Sequence, residues 1–174
     1  MSFKVVYGPP CSGKSTYVQE HKGSKDVLFD YDRIFCAMTY ATEHTKSDRD
    51  YAHRFVMDCR SAFVKTAKTG EHGAENVWFI ISNLNDNTRK WLESLSPEYI
   101  RMDVTEEECL ARLEKDDTRP DKEHQAEVIK KWFKDHANDE QTEEQDRCRR
   151  LRIKMQINEV MAHELSEKGI RHKT

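Results

Sequence analysis

Residues 8–16 read Gly-Pro-Pro-Cys-Ser-Gly-Lys-Ser-Thr, which fits the pattern G-x-x-x-x-G-K-[ST] of a phosphate-binding (Walker A) loop. In such a loop, Gly8 and Gly13 let successive backbone N–H groups point at one anion, and the helix that follows adds its positive end. Lys14 supplies a charge for the β- and γ-phosphates, and the Ser15 hydroxyl is the expected Mg²⁺ ligand. The motif therefore predicts that the chain binds a nucleoside triphosphate.

The sequence around this loop has the order that the motif requires. Phe3 to Tyr7 is a short strand-like run, and residues 16–20 can continue as a helix. Strand, glycine loop and helix in this order favour a true phosphate-binding loop over a chance match. Cys11 is expected to contribute its backbone N–H and not its thiol. The predicted nucleotide-binding residues are Gly8, Pro10, Cys11, Ser12, Gly13, Lys14, Ser15 and Thr16.

A second group of chemically capable residues, Asp30, Asp32 and Arg33, lies at the end of the next strand-like run, residues 27–31. In a parallel α/β sheet the carboxyl ends of the strands open onto the crevice that holds the phosphate loop. Asp30 or Asp32 could therefore reach an acceptor hydroxyl, and Arg33 an acceptor phosphate. Strand alternation puts both aspartates on one side if the strand continues that far. The alternative is that one of them caps a helix beginning near Asp32.

The phosphate loop, the strand ending in Asp30-x-x-Arg33, and Ile80 to Asn85 before Arg89 together resemble the kinase domain of bacteriophage polynucleotide kinase and related small P-loop kinases. The resemblance covers roughly residues 3–135. It implies that ATP and Mg²⁺ are used, that Asp30 is the general base toward a 5′-hydroxyl, and that Arg33 holds substrate phosphate. By this resemblance alone, the protein is expected to be a bacterial or phage protein of the cytosol.

The sequence departs from that family at the end of the third predicted strand, residues 77–81. The family usually has an aspartate there, which helps to organise metal and base, whereas this chain has Ile81-Ser82-Asn83. Either Ser82 contacts a metal-bound water, or Asp30 or Asp32 supplies the missing charge. The missing aspartate weakens the specific assignment to the polynucleotide kinases more than it weakens the prediction of nucleotide binding.

Cations to cover the transferring phosphoryl group are expected from a lid at about residues 112–124. Arg112 and Arg119 flank a polar, turn-rich joint between two predicted helices, and related kinases carry lid arginines in this region. We predict that both arginines are catalytic. The alternative is pairing with Glu108 and Asp116 on an exposed helix, which is the preferred interpretation for Lys115.

The bulk properties exclude several classes of protein. The 174 residues carry a net charge of −3, which argues against a protein that coats nucleic acid, and no apolar run approaches the length of a membrane span. The five cysteines form no C-x-x-C pair, which argues against a disulfide framework or a zinc site. We therefore expect a cytoplasmic protein with no secretory signal and no membrane partner.

Strand-like and helix-like segments alternate up to about residue 104, and helices follow. The pattern predicts a three-layer α/β P-loop fold, with a mostly parallel sheet and C-terminal helical additions, in a single domain spanning 1–174. A helical extension is expected at about 141–170, although residues 151–157 also alternate like a strand. Further strands are predicted at 77–81 and 99–104. Helices are predicted at 48–68, 88–95 and 123–136, with another beginning at the capping box Thr105–Glu108.

Together these features predict an ATP-dependent kinase whose acceptor is a nucleotide or a nucleic-acid 5′ end. Two other functions stay open: a kinase for a free or modified nucleotide, and a non-kinase ATP-binding or ATPase switch. The missing carboxylate after the third strand favours the switch slightly, whereas Asp30 and the lid arginines favour a kinase. The oligomeric state is left open.

Overall fold

A computed structural model of the protein describes residues 2–40, 50–119 and 121–137. The chain divides into two compact units, Met1–Phe133 and Lys134–Thr174, and the fold and site below belong to the first. The predicted extension at about 141–170, with its choice between helix and strand, lies outside the described residues. The single-domain organisation therefore stays a prediction.

Four parallel strands form the sheet at the centre of the first unit, in the order β2-β3-β1-β4. The third strand is buried through Val77, Trp78, Phe79 and Ile80, as expected for a strand covered on both faces. The strands are β1 (Ser2–Tyr7), β2 (Val27–Asp30), β3 (Asn76–Ile81) and β4 (Glu98–Arg101).

Helices cover both faces of this sheet. Alternation along β1 puts Val5 into one apolar cluster, with residues of α2, α3 and α4, and Val6 into another, with Val18 of α1. The predicted three-layer α/β arrangement is therefore confirmed. The helices are α1 (Lys14–His21), α2 (Tyr31–Thr39), α3 (Asp50–Thr69), α4 (Asp86–Glu93), α5 (Glu106–Glu114) and α6 (Lys122–Asp135).

Helices α5 and α6 form a third apolar cluster beside the phosphate loop. Its buried members are Cys109, Leu113 and Ile129, and Cys11 of the loop packs against them. The start of α5 is fixed by the predicted capping box, in which the Thr105 hydroxyl accepts from the Glu108 N–H and the Glu108 carboxylate accepts from the Thr105 N–H. This pair of helices therefore supports the loop from the side.

Several predicted boundaries were wrong. The second strand ends at Asp30 because the Asp30 side chain caps α2, so Tyr31 is helical. The helix predicted from Thr88 begins at Asp86, because the Asn85 side chain accepts from the Thr88 N–H. The fourth strand ends at Arg101 and does not reach Val104.

Helix α3 does not bury all of the apolar residues that recur along it at three- and four-residue intervals. Tyr51 and Phe55 are each 66% exposed, whereas Val56 and Val64 are buried. The buried face follows four-residue steps, so Arg60 lies midway between Val56 and Val64 along the helix. No helix within the described ranges is both long enough and apolar enough to cross a membrane.

Candidate functional site

The loop between β1 and α1 takes the backbone conformation that its glycines allow. Gly8 has φ 152° and Gly13 has φ 90°, values that other residues rarely adopt. A Cβ atom on Gly8 would lie 3.0 Å from the Cβ of Met102, so a side chain there would also crowd the residue that follows β4. Both glycines are thus required by the shape of the loop.

Lys14 lies inside this loop and is 9% exposed. Its ammonium donates to the carbonyls of Gly8 and Pro9, at 2.9 Å and 2.6 Å, and lies 3.4 Å from the Ser12 hydroxyl. Burial lowers the pKa of Lys14 to about 8, because desolvation disfavours its charged form. The loop therefore holds its one lysine with neutral oxygen atoms only.

Asp30 joins the second strand to the phosphate loop. It is 8% exposed, and its two carboxylate oxygens have different partners. Oδ1 accepts from the Asp32 N–H at 3.1 Å, which makes Asp30 the cap of α2. Oδ2 accepts from the Ser15 hydroxyl at 3.3 Å and lies 3.9 Å from Nε of Arg33. The residue predicted as general base is thus beside the predicted Mg²⁺ ligand.

The cap corrects one prediction about the two aspartates. The sequence leaves either aspartate as a possible cap; in the structure Asp30 caps the helix and Asp32 occupies its first turn. Because β2 ends at Asp30, the alternation of side chains along a strand does not extend to Asp32. It therefore does not place the two aspartate side chains on the same side of the sheet. Asp32 and Arg33 nevertheless border the same cavity as Asp30.

A cavity of about 970 Å³ opens over the loop and the ends of β2 and β3. Seven of the predicted nucleotide-binding residues line it. The eighth, Gly8, lies at the beginning of the loop, where its carbonyl accepts from Lys14. Burial raises the pKa of the Cys11 thiol, so this group stays protonated near neutral pH. The seven lining residues are Pro10, Cys11, Ser12, Gly13, Lys14, Ser15 and Thr16.

The joint between α5 and α6 contributes Arg112 and Arg119 to the cavity wall. Arg112 Nη1 donates to the Ser12 carbonyl at 2.9 Å, so this arginine binds the loop, while Glu108 caps its own helix. Arg119 pairs with Asp116, with Nε 3.0 Å from Oδ2. The pKa of Asp116 is lowered mainly by a hydrogen bond from the Thr118 hydroxyl. The backbone N–H of Thr118 and the Arg119 side chain also donate to this carboxylate, so Asp116 stays ionised.

At the end of β3 the cavity is lined by Ser82 and Asn83, without a carboxylate. The Ser82 carbonyl accepts from the Trp132 indole N–H at 2.7 Å, which holds this turn against α6. No cluster of three or more His, Cys, Asp or Glu side chains suited to a metal occurs in the described ranges. Ser15 Oγ and Asp30 Oδ2 nevertheless fit Mg²⁺, which binds proteins through few oxygen ligands and through substrate phosphates.

Arg60 also lines the cavity and was not among the predicted site residues. Its guanidinium lies 4.2 Å from the centre of the Trp91 ring and 5.5 Å from that of Phe79. Nε of Arg60 is buried and has no hydrogen-bond partner in the described part of the chain. The signal that would have revealed it is its position on the inner face of α3, where an arginine is unexpected.

No protein-family model and no curated protein matches this chain. Among solved structures, a chain of the Pnkp1/Rnl/Hen1 RNA repair complex has a similar fold, with a TM-score of 0.55 over 77% of this chain. The two sequences are 16% identical, and the match covers 45% of that chain, so this protein spans less than half of its length. At this identity the likeness establishes the fold.

Proposed function

We propose that this protein is a P-loop phosphotransferase: an ATP-dependent kinase that transfers the γ-phosphoryl group to a nucleotide or to the 5′ end of a nucleic acid. The observation that carries the proposal is the 3.3 Å approach of the Asp30 carboxylate to the Ser15 hydroxyl at the start of α1. It puts a proton acceptor beside a phosphate-binding loop, within one cavity that also contains Arg112 and Arg119.

In the proposed reaction the acceptor oxygen bonds to the γ-phosphorus, the bond from that phosphorus to the β–γ bridging oxygen breaks, and ADP leaves. Asp30 accepts the proton of the acceptor hydroxyl. Lys14 moves from the loop carbonyls to the β- and γ-phosphate oxygens, while Arg112 and Arg119 offset the charge of the transferring group. Mg²⁺, held through Ser15, neutralises part of the phosphate charge when it is bound.

The acceptor side of the proposal rests on Asp32, Arg33 and the resemblance to polynucleotide kinases. Arg33 borders the cavity next to Asp30 and offers a guanidinium to an acceptor phosphate. The likeness to a chain from an RNA repair complex supports a nucleic-acid end over a free nucleotide.

A cytoplasmic site of action is supported by the free thiols of Cys11, Cys36, Cys59 and Cys109.

A transfer assay with γ-labelled ATP and Mg²⁺ tests the proposal. The acceptors are a 5′-hydroxyl DNA oligonucleotide, a 5′-hydroxyl RNA oligonucleotide, a nucleoside monophosphate and no acceptor. We expect label on at least one oligonucleotide, and its loss in Lys14→Ala with retention in Lys65→Ala, an exposed lysine of α3.

Two outcomes would redirect the proposal. Label on the mononucleotide alone would identify a free-nucleotide kinase. Label appearing only as inorganic phosphate, equally with and without acceptor, would identify an ATPase switch and remove the kinase assignment.

A further inference from the structure

Arg60 is a partly buried cation without a counter-charge among the described residues. It projects from the inner face of α3, between the buried Val56 and Val64, where a globular helix ordinarily has an apolar residue. No ion pair joins it to a carboxylate in the described part of the chain, and its Nε has no hydrogen-bond partner there. Burial lowers the pKa of Arg60, which reflects the cost of desolvating its charge.

Two aromatic rings hold the guanidinium at the cavity wall. Trp91 of α4 and Phe79 of β3 lie 4.2 Å and 5.5 Å from its central carbon, so the apolar and cation–π contacts fix the plane of the group. These contacts do not satisfy its N–H donors. A charge that is partly shielded from water is normally paired, so an arginine that is fixed, unpaired at Nε and on a cavity wall is suited to an anion that enters the cavity.

The neighbours of Arg60 indicate which anion this is. Asp30 and Arg33 line the same cavity, and they are the residues proposed to meet the acceptor, whereas the nucleotide phosphates are served by Lys14, Arg112 and Arg119. Building on the proposed function, we propose that Arg60 is a second binding group for acceptor phosphate. It would bind the phosphate linkage next to the hydroxyl that is phosphorylated, together with Arg33.

Binding of two fluorescent 5′-hydroxyl trinucleotides, measured by anisotropy without ATP, tests this assignment. One probe has a normal first phosphodiester, and the other has an uncharged methylphosphonate at that position. The wild type should prefer the charged probe by about tenfold or more, because a charge-assisted hydrogen bond to phosphate is lost in the other. Arg60→Met should show a smaller preference, of which Arg33 supplies the remainder, and Arg60→Lys should retain more of the preference than Arg60→Met does.

The stability of Arg60→Met separates a binding role from a packing role. Methionine keeps the length and the aromatic contact but removes an unpaired charge, so we expect the variant to resist urea as well as or better than the wild type. Arg54→Met is the matched control, because Arg54 is an exposed residue of α3 that pairs with Asp58. Its preference for the charged probe should equal that of the wild type.

Each remaining outcome decides the question. An Arg60→Met variant that prefers the charged probe as strongly as the wild type does, or one that weakens the binding of both probes equally, overturns the assignment. If the wild type binds neither probe, the nucleic-acid acceptor and the role of Arg60 are both overturned. A wild type that shows the preference but transfers no label from ATP would overturn the kinase proposal alone, while the anisotropy of Arg60→Met still decides the role of this residue.

Discussion

Lys14 is held in the phosphate loop by two backbone carbonyls, which are dipoles and not counter-charges. Its charged form is therefore disfavoured by burial, and its pKa falls to about 8. The oxygens of a triphosphate would provide the missing counter-charge and raise that pKa again. Binding of ATP should consequently be linked to proton uptake at Lys14.

The pH dependence of ATP binding follows from this linkage. Below pH 8 Lys14 is already protonated, so the affinity changes little with pH; above pH 8 binding must take up a proton, so the affinity falls, by up to about tenfold per pH unit. Calorimetry at pH 8 in two buffers of different ionisation enthalpy should give an uptake of about half a proton per ATP. In Lys14→Arg, whose guanidinium stays charged, binding should take up no proton at this group. Absence of uptake in the wild type would contradict the linkage.

Asp30 has a structural role and a proposed chemical role, and two substitutions separate them. Asparagine is as good a helix cap as aspartate, whereas alanine loses the bond from the Asp32 N–H and should cost about 1 kcal/mol of unfolding free energy. Asparagine is not a base. We therefore expect Asp30→Asn to keep the stability of α2 and ATP binding but to lose label transfer, and Asp30→Ala to lose both stability and transfer.

The measurements are urea unfolding and the labelled-ATP assay on the same preparations. Normal transfer by Asp30→Asn would remove the general-base assignment and move it to Asp32, the other carboxylate of this turn.

The residues that could be predicted from sequence are those whose neighbours are local. Lys14 and Ser15 belong to one continuous motif, and Asp30 is the last residue of a strand, so their positions depend on a few adjacent dihedral angles. The place of Arg60 on the cavity wall depends instead on which face of α3 turns inward and on Trp91, which is 31 residues further along the chain. Apolar spacing does not identify that face, because Tyr51 and Phe55 of the same helix are exposed.

At the scale of the elements, the two arginines of the joint between α5 and α6 have different binding partners. Arg112 is already bound to the Ser12 carbonyl of the phosphate loop. Arg119 is bound within the joint, to Asp116 and, at 3.3 Å, to the side-chain carbonyl of Gln125. Closure of the joint over a triphosphate would require Arg119 to exchange these partners for phosphate oxygens. The segment at about 112–124 therefore stays a predicted lid.

Arg119→Ala tests the lid at this joint. If the guanidinium meets the phosphoryl group mainly in the transition state, kcat should fall by about a hundredfold or more, with a smaller change in the KM for ATP. Steady-state transfer kinetics measure both quantities. Asp117→Ala is the control, because Asp117 is an exposed residue of the same joint and does not line the cavity. Unchanged turnover in Arg119→Ala would remove this residue from the lid.

At the scale of the whole molecule, the sheet order explains why the site residues converge. Strand β3 lies between β2 and β1, so Asp30, Ser82 and the phosphate loop follow neighbouring strands at the same edge of the sheet. Alternating strands and helices predict a parallel sheet, but they do not give the order of its strands, which depends on packing between distant segments. The end of β2 and the start of α4 were missed for a related reason: the side-chain caps Asp30 and Asn85 decide them.

The fold also provides a measurement of nucleotide binding that needs no acceptor. All three tryptophans of the chain, Trp78, Trp91 and Trp132, lie in the first compact unit, so their fluorescence reports its unfolding. A non-hydrolysable ATP analogue with Mg²⁺, at about a hundred times its dissociation constant, should stabilise this unit by about 2.7 kcal/mol and raise its Tm by about 5–10 °C. Lys14→Ala should show no such rise, whereas Lys65→Ala should behave like the wild type. An equal rise in Lys14→Ala would show that the analogue binds somewhere other than the phosphate loop.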